Sequence, residues 1–573
     1  MPIHNHDIAE IFDQVADLLE IEEANPFRVR AYRNAARVVD GMSQNLADLV
    51  EREANLSAFA GIGKDLAGKI KEIVNTGSLQ LLRELEARTP PELSEMMQIA
   101  GLGPKRVHLL HKKLGIKTPE DLREAARTGK IQEIKGFGEK IAEQILEGVG
   151  QITEEEKRFK LATAEPVAQG LVDYLKEAPG VKEAMVAGSY RRRKETVGDL
   201  DILVACEQGP AVMEAFVNYE DVKKVLAQGD TKSSVKLRSG IQVDLRVVPQ
   251  ESYGAALHYF TGSKAHNIAI RQMGVRKGLK INEYGVFKGE KRLAGKTEAE
   301  VFQSVDLPYI EPELRENRGE VEAAKAGGLP KLITLQDLKG DLHAHTKATD
   351  GRNTLEEMAQ AAQDRGYEYL AITNHSKRVS MAHGLDAADL AKEIKAIDRL
   401  NSKFKGFVLL KAIELDILKD GSLDLPDEIL QELDLTVCSV HYNVNLSRKE
   451  QTERILRAMD NPHFHILAHP TGRLINKRDP YEVDLERLLQ AAKERGCFME
   501  LDAQPDRLDL ADIYCKLAKD MGVKLAIDTD AHSTADLAFM RYGIDQARRG
   551  WLEPGDVLNT RTWKDLQKLL QRV

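Results

Sequence analysis

Apolar residues in the first 150 positions recur at intervals of three and four, as at Ile8, Ile11, Phe12, Val15, Leu18 and Leu19. That spacing gives a helix one buried face, so short amphipathic helices are expected there. The rhythm then changes. VKEAMVAGS, LDILVA and IQVDLRVV read as strands, with helical stretches between and after them. Residues 316–330 are polar and contain glycines, as a linker would. Beyond them the apolar runs YLAIT, VLLKAIEL, LTVCSV, HILA, CFMEL and KLAID alternate with helical segments such as 354–365 and 485–495. Alternating strands and helices predict parallel strands joined by crossover helices.

One repeat interrupts the helical region. FAGIGKDLAGKI, IAGLGPKRVHLL and IKGFGEKIAEQI each place a Gly-x-Gly between an apolar helix end and a helix carrying Lys or Arg. Glycine permits a tight turn and close approach to an anion, and the amides opening the next helix point at that anion. A single copy would be a plain helix corner. Three copies, centred on Gly61 and Gly63, Gly101 and Gly103 with Lys105, and Gly136 and Gly138 with Lys140, resemble helix-hairpin-helix elements, which grip the DNA backbone without reading sequence.

Composition adds constraints more than direction. The 573 residues are 42% hydrophobic and 30% charged, enough for several domains with real cores. Four scattered cysteines without a CxxC pair indicate neither a disulfide framework nor a thiolate metal site. No apolar run approaches the roughly 18 residues of a membrane span, and the acidic, amphipathic N-terminus is unlike a signal peptide. A cytoplasmic monomer is expected. The net charge of −9 is unlike that of an obvious nucleic-acid binder. Locally, residues 101–150 carry ten Lys and Arg against seven Asp and Glu, and residues 251–300 nine against five. DNA contact would therefore be local and geometric.

A Gly-Ser-Arg motif and a set of carboxylates carry chemistry in the first part of the chain. Gly188-Ser189-Tyr190-Arg191-Arg192-Arg193 can bind a triphosphate through amides, a hydroxyl and guanidinium groups. It is followed by Asp199 and Asp201, which alternate on a strand and so share a face. Carboxylates this close need a cation between them; hard oxygen ligands suit magnesium, and Asp244 would complete a two-metal site for displacement at phosphorus. Downstream stand Tyr259-Phe260-Thr261-Gly262-Ser263 with Asn267 and Arg271, then Ile281-Asn282-Glu283-Tyr284. Over about residues 26–316 the order and spacing of these motifs resemble family X DNA polymerases such as polymerase beta. The resemblance implies that Asp199, Asp201 and Asp244 hold two magnesium ions, and that Ser189, Arg192 and Gly198 grip the incoming triphosphate. It further implies that Tyr259, Phe260 and Gly262 frame the sugar, while Asn267 and Arg271 check the nascent pair. Lys69 falls where the family can carry a Schiff-base lysine for deoxyribose phosphate removal. Asp65 and Leu81 stand where phosphate-binding lysines are common, with Arg28 the one evident substitute, which leaves that lyase chemistry open.

The last third carries nine of the fifteen histidines, most at strand ends. His343 and His345 lie two apart; Asp350, His375, Glu414, His441, His469, Asp530 and His532 follow at or just beyond the ends of later strands. Such positions converge on one rim of a βα barrel, and mixed imidazole and carboxylate donors suit manganese, zinc or iron alike. These nine residues resemble the ligand set of the polymerase-and-histidinol-phosphatase (PHP) domain. That resemblance implies a trinuclear metal cluster hydrolysing a phosphodiester, in which His343, Glu414 and Asp530 are catalytic, with Arg473 free to hold the substrate phosphate. Asn374 stands where that family usually has Asp.

The expected organisation is all-α over 1–85 and 86–150, each with hairpins, an α+β nucleotidyltransferase palm over 151–250, and a nucleotide-binding subdomain over 251–318. A linker over 319–336 and a distorted (βα) TIM-like PHP barrel over 337–573 complete it. The function implied is gap-filling synthesis on gapped or primed DNA from dNTPs, in base excision repair, with metal-dependent 3′-to-5′ exonuclease and possible 3′-end processing or abasic-site endonuclease activity. The alternatives are a phosphoesterase acting on a small phosphate ester behind an inactive polymerase-like region, and a non-catalytic DNA-binding scaffold.

Overall fold

The computed structural model describes residues 5–571 except 43, 60, 91, 98, 100, 101, 135, 136, 139, 140, 143, 144 and 146–157. Gly101, Gly136 and Lys140 therefore lie outside the described residues. The chain forms two compact units, Met1–Lys157 and Arg158–Val573.

The first unit is helical, as the spacing predicts. Its cut at 85/86 is not a break in the core, because one apolar cluster runs from Ile8 and Phe12 through Leu85 and Leu110 to Ile145. The three hairpins share one construction. Ile62, Leu102 and Phe137, the middle residues of the Gly-x-Gly turns, are all buried. Their amides donate three residues back, to Phe59, Ile99 and Ile134. The last glycine of each turn, Gly63, Gly103 or Gly138, then accepts from the amide of Ala67, Val107 or Ala142 at 2.9–3.1 Å. A buried apolar anchor thus fixes each turn and leaves its amide face outward. Gly61 needs to be glycine: its φ is +91° and a Cβ would lie 3.0 Å from Val38.

The second unit opens with a five-stranded sheet in the order Val181–Val186, Asp199–Cys206, Gln242–Val248, Lys232–Leu237, Val222–Gln228. Only the central pair is parallel, with Asp201 directly opposite Asp244. The helices Tyr253–Thr261 and Lys264–Arg276 and a three-stranded sheet from Lys280 to Ala294 follow. Residues 319–336 are not a free tether. They contain the helix Glu320–Ala326, whose Val321 and Ala324 bury in the core of the preceding subdomain, while Ile333 joins the core of the next domain. One of the polar residues there, Glu320, is buried against His266 at 2.7 Å.

In the last domain one parallel sheet runs Gly340–Asp341, Tyr369–Ile372, Val408–Lys411 and a second runs Glu414–Asp416, Val437–Ser439, Ile466–Leu467, Phe498–Asp502, Leu525–Asp528, the two linked by a parallel bridge between His375 and Glu414. A parallel bridge between Ala344 and Ala531 joins the first strand to the last. Alternate residues divide the strands between two cores. Tyr369, Ala371, Val437, Ile466 and Phe498 pack with Leu566 and Leu570 of the C-terminal helix Trp563–Leu570, and Leu370, Ile372, Cys438 and Met499 pack beneath the crossover helices. This domain and the palm share a core as well, since Ile475, Leu508 and Tyr542 pack with Leu161, Val186 and Val197.

Candidate active sites

On the palm, Gly188 has φ +59°, and a Cβ there would lie 2.5 Å from the Asp201 carboxylate. The Ala187 amide also donates to the Asp201 carbonyl at 2.7 Å. The Gly-Ser turn is thus built directly onto the acidic strand, which brings Ser189 and Arg192 to the same edge as Asp199, Asp201 and Asp244. Lys232 lies 3.1 Å from Asp244. Burial, with Asp199 and Asp244 adding repulsion, pushes the Asp201 carboxyl up to about 7. A divalent cation bound here has to displace that proton. Magnesium affinity is therefore expected to fall about tenfold between pH 7.5 and pH 6, measured by calorimetry; no change would contradict it.

The residues expected to bind the nucleotide cluster beside this edge. Tyr259 and Phe260 meet edge to face at 5.1 Å, with Arg271 over the Tyr259 ring and Arg246 over Phe260. A Cβ on Gly262 would sit 2.6 Å from Asn267. Asn267 itself is buried and donates to the carbonyls of Tyr259 and Gly262 at 2.6 and 3.1 Å, so in this structure it braces the turn. Gly198 is exposed, next to Asp199.

In the last domain all nine expected donors come together. Glu414 is central: its oxygens lie 2.7 Å from His375 Nδ1 and 3.2 Å from the Nε2 atoms of His441 and His469. Asp530 lies 3.0 Å from His345 and 3.5 Å from His343, and Asp350 lies 3.2 Å from His375 and 3.3 Å from His532. Four overlapping groups have metal-binding spacing: His345, Asp350, His375 and His532; His343, His345 and Asp530; His375, Glu414 and His441; and, drawing on residues outside the nine, His343, Glu500 and Asp528. His343 Nε2 and both ring nitrogens of His345 are buried without an aligned hydrogen bond, which fits lone pairs directed at cations. Burial opposes a charged His375, but Glu414 and Asp350 outweigh it and push the imidazole up to about 10. His345 goes the other way, down to about 4, through burial and its neighbour His375. His469 and Asp530 hold positive φ, +26° and +46°, a conformation costly for such side chains.

Sequence reasoning missed the layer behind this cluster. Glu500 is buried 2.5 Å from His343 Nδ1 and also accepts from the His469 amide, so it fixes two ligands at once. The available signal was an acidic residue on the inward register of CFMEL. Asn374 is not idle either. Its Oδ1 accepts from the Thr346 amide at 2.7 Å and the Thr349 hydroxyl at 3.0 Å, and its Nδ2 donates to Glu393 at 2.5 Å. Burial pushes the Glu393 carboxyl up to about 7. Asn374→Asp would set two buried acids against each other and is expected to cost about 1–3 kcal/mol. Glu393→Gln in the same background should recover the loss in thermal unfolding; failure to do so would break the pairing.

Five sections of the chain match known families: residues 3–79 a helix-hairpin-helix domain and 93–150 a SAM-like helix-hairpin-helix tandem, 163–246 and 256–316 the DNA polymerase beta palm and thumb, and 341–504 the PHP domain. The DNA polymerase/3′-5′ exonuclease PolX of Bacillus subtilis (strain 168) is 38% identical over the whole of both chains. The chain belongs to the PolX family of DNA polymerases. Probable phosphatases match over shorter stretches. One from Thermoanaerobacter sp. (strain X514) is 28% identical over 40% of this chain and 94% of its own length. One from Caldanaerobacter subterraneus is 30% identical over 34% and 77%.

Two residues of this PolX chain behave differently from expectation. Arg473 is not free for a substrate phosphate: it is held by both carboxylate oxygens of Glu195 in the palm, at 3.2 and 2.6 Å, and ties the domains together. Lys69 lies 2.5 Å from Asp65, with its amine over the Tyr32 ring. Attack on an aldehyde would require that ion pair to open. No helix among the described residues is long and apolar enough to cross a membrane.

Proposed function

We propose that this PolX protein fills short gaps in DNA and also removes 3′ nucleotides, using one site in the palm and another in the PHP domain. The carrying observation is that one compact unit holds both the Asp201–Asp244 pair beside the Gly-Ser turn and the nine converging donors. The name of the Bacillus subtilis relative supports the same pair of activities. Asp199, Asp201 and Asp244 would hold two magnesium ions, and the His343–His532 set three ions of manganese, zinc or iron. When bound, these ions supply positive charge to the phosphoryl oxygens. Ser189, Arg192 and Gly198 bind the triphosphate; Tyr259, Phe260 and Gly262 frame the sugar; Asn267 and Arg271 face the new pair. The outward amides of Gly63, Gly103 and Gly138, with Lys105, grip the backbone of the duplex. Beside His441 a cavity of about 300 Å3, lined by Arg378, Lys419 and Arg454 against Asp416 and Asp420, with Tyr442, offers room and a small excess of positive charge for a nucleotide at the strand end.

The test is a 5′-labelled primer on gapped DNA. With magnesium and dNTPs it should lengthen to fill the gap; with manganese and no dNTPs it should shorten from the 3′ end. A primer unchanged in both, with a sugar phosphate hydrolysed instead, would favour the small-ester reading.

A further inference from the structure

The PHP domain reaches into the palm at the arginine read above as the triphosphate ligand. Arg192 Nε donates to Glu316 Oε1 at 2.9 Å and its Nη1 to the Thr261 carbonyl at 2.9 Å. Arg549, which ends the PHP-domain helix Met540–Arg549, donates to the same Glu316 oxygen at 3.1 Å and to the Arg192 main-chain carbonyl at 2.8 Å. Its other nitrogen donates to Asp512 at 2.7 Å, and Asp512 also takes Arg318 at 2.9 Å. Charges therefore alternate across the junction with the PHP domain: Arg192, Glu316, Arg549, Asp512, Arg318. The side chains of Arg192, Glu316 and Arg549 are only 12, 11 and 3% exposed, so water screens them little.

The energetic consequence follows from sharing. A carboxylate divided between two guanidinium groups holds each less firmly than it would hold one alone. Were Arg549 absent, Glu316 would bear more fully on Arg192, with Lys194 its other nearby cation, and an incoming triphosphate would have to displace it from a desolvated pair. Docking alone does not call for this contact, because Arg473–Glu195, Arg193–Asp545 and Lys160–Asp506 already join the two domains without touching the Arg192 side chain. We infer that Arg549 is a positioning residue for nucleotide binding: by sharing Glu316 and bracing the Arg192 backbone, the PHP domain keeps the Arg192 guanidinium available to the triphosphate. This inference rests on the reading of the palm as the dNTP site.

The experiment is single-nucleotide incorporation by the full-length protein on a primed template with magnesium. Arg549→Met is expected to raise the KM for the dNTP about tenfold, the worth of one charge-assisted hydrogen bond. The kcat should stay within about twofold, and 3′ nucleotide removal should be unchanged. Glu316→Gln in that background should return the KM toward the wild-type value. Glu316→Gln alone keeps the shape, removes the competing charge, and does not depend on Arg549→Met folding; it should lower the KM about threefold. An unchanged KM in Arg549→Met, a fall confined to kcat, no recovery in the double variant, or a raised KM in Glu316→Gln would each overturn the inference. Absence of incorporation by the wild-type protein would instead overturn the reading of the palm itself.

Discussion

Glu414→Gln is expected to reduce removal of 3′ nucleotides by at least about 1,000-fold, while primer extension stays within about twofold. Glu414 is 1% exposed and lies within 4 Å of five imidazoles, those of His343, His345, His375, His441 and His469. Glutamine fills the same volume but replaces an anionic oxygen by a donor amide, which cannot bind a cation and would face imidazole donors. His375 and His441 are pushed up to about 10 and about 9, against the effect of burial, chiefly by the Glu414 charge, so both should lose that support in the variant. The measurement is shortening of a 5′-labelled primer with manganese, run beside extension with magnesium and dNTPs. If both activities fell together with the fold intact, the cluster would not be a separate site.

What could be read in the sequence follows the range of the interactions that make it. The metal donors were legible because a strand projects alternate residues to one face, so a His or Asp at a strand end has one place to go. The hairpins were legible because three copies carry the same local turn, closed by hydrogen bonds three residues apart. Contacts made between distant stretches left no periodic trace. Arg473 with Glu195, Asn374 with Glu393, and Glu500 with His343 each join residues separated by 19 to 278 positions. The packing of the linker was hidden for a related reason: composition reports polarity, and the polarity of residues 319–336 includes Glu320, whose partner His266 lies 54 positions away.

Asp201→Asn should separate activity from stability. Primer extension is expected to fall about 100- to 1,000-fold, because one of the carboxylates that would hold the catalytic ions is lost, while 3′ nucleotide removal persists. The same change should stabilise the metal-free protein at pH 8. Burial, Asp199 and Asp244 raise the Asp201 carboxyl from 3.8 to about 7, so the folded state binds this proton more tightly than the unfolded chain does. Ionisation of Asp201 therefore costs stability progressively as pH rises from about 4 to 7, and in full above 7. Asparagine never ionises and avoids that cost, so the gain in melting temperature should shrink as pH falls from 8 to 5. Saturating magnesium should reverse the order, since only the wild-type site gains ion-binding energy. A variant destabilised equally at pH 8 and pH 5 would mean that Asp201 is held there by packing, with no repulsion for a metal to relieve.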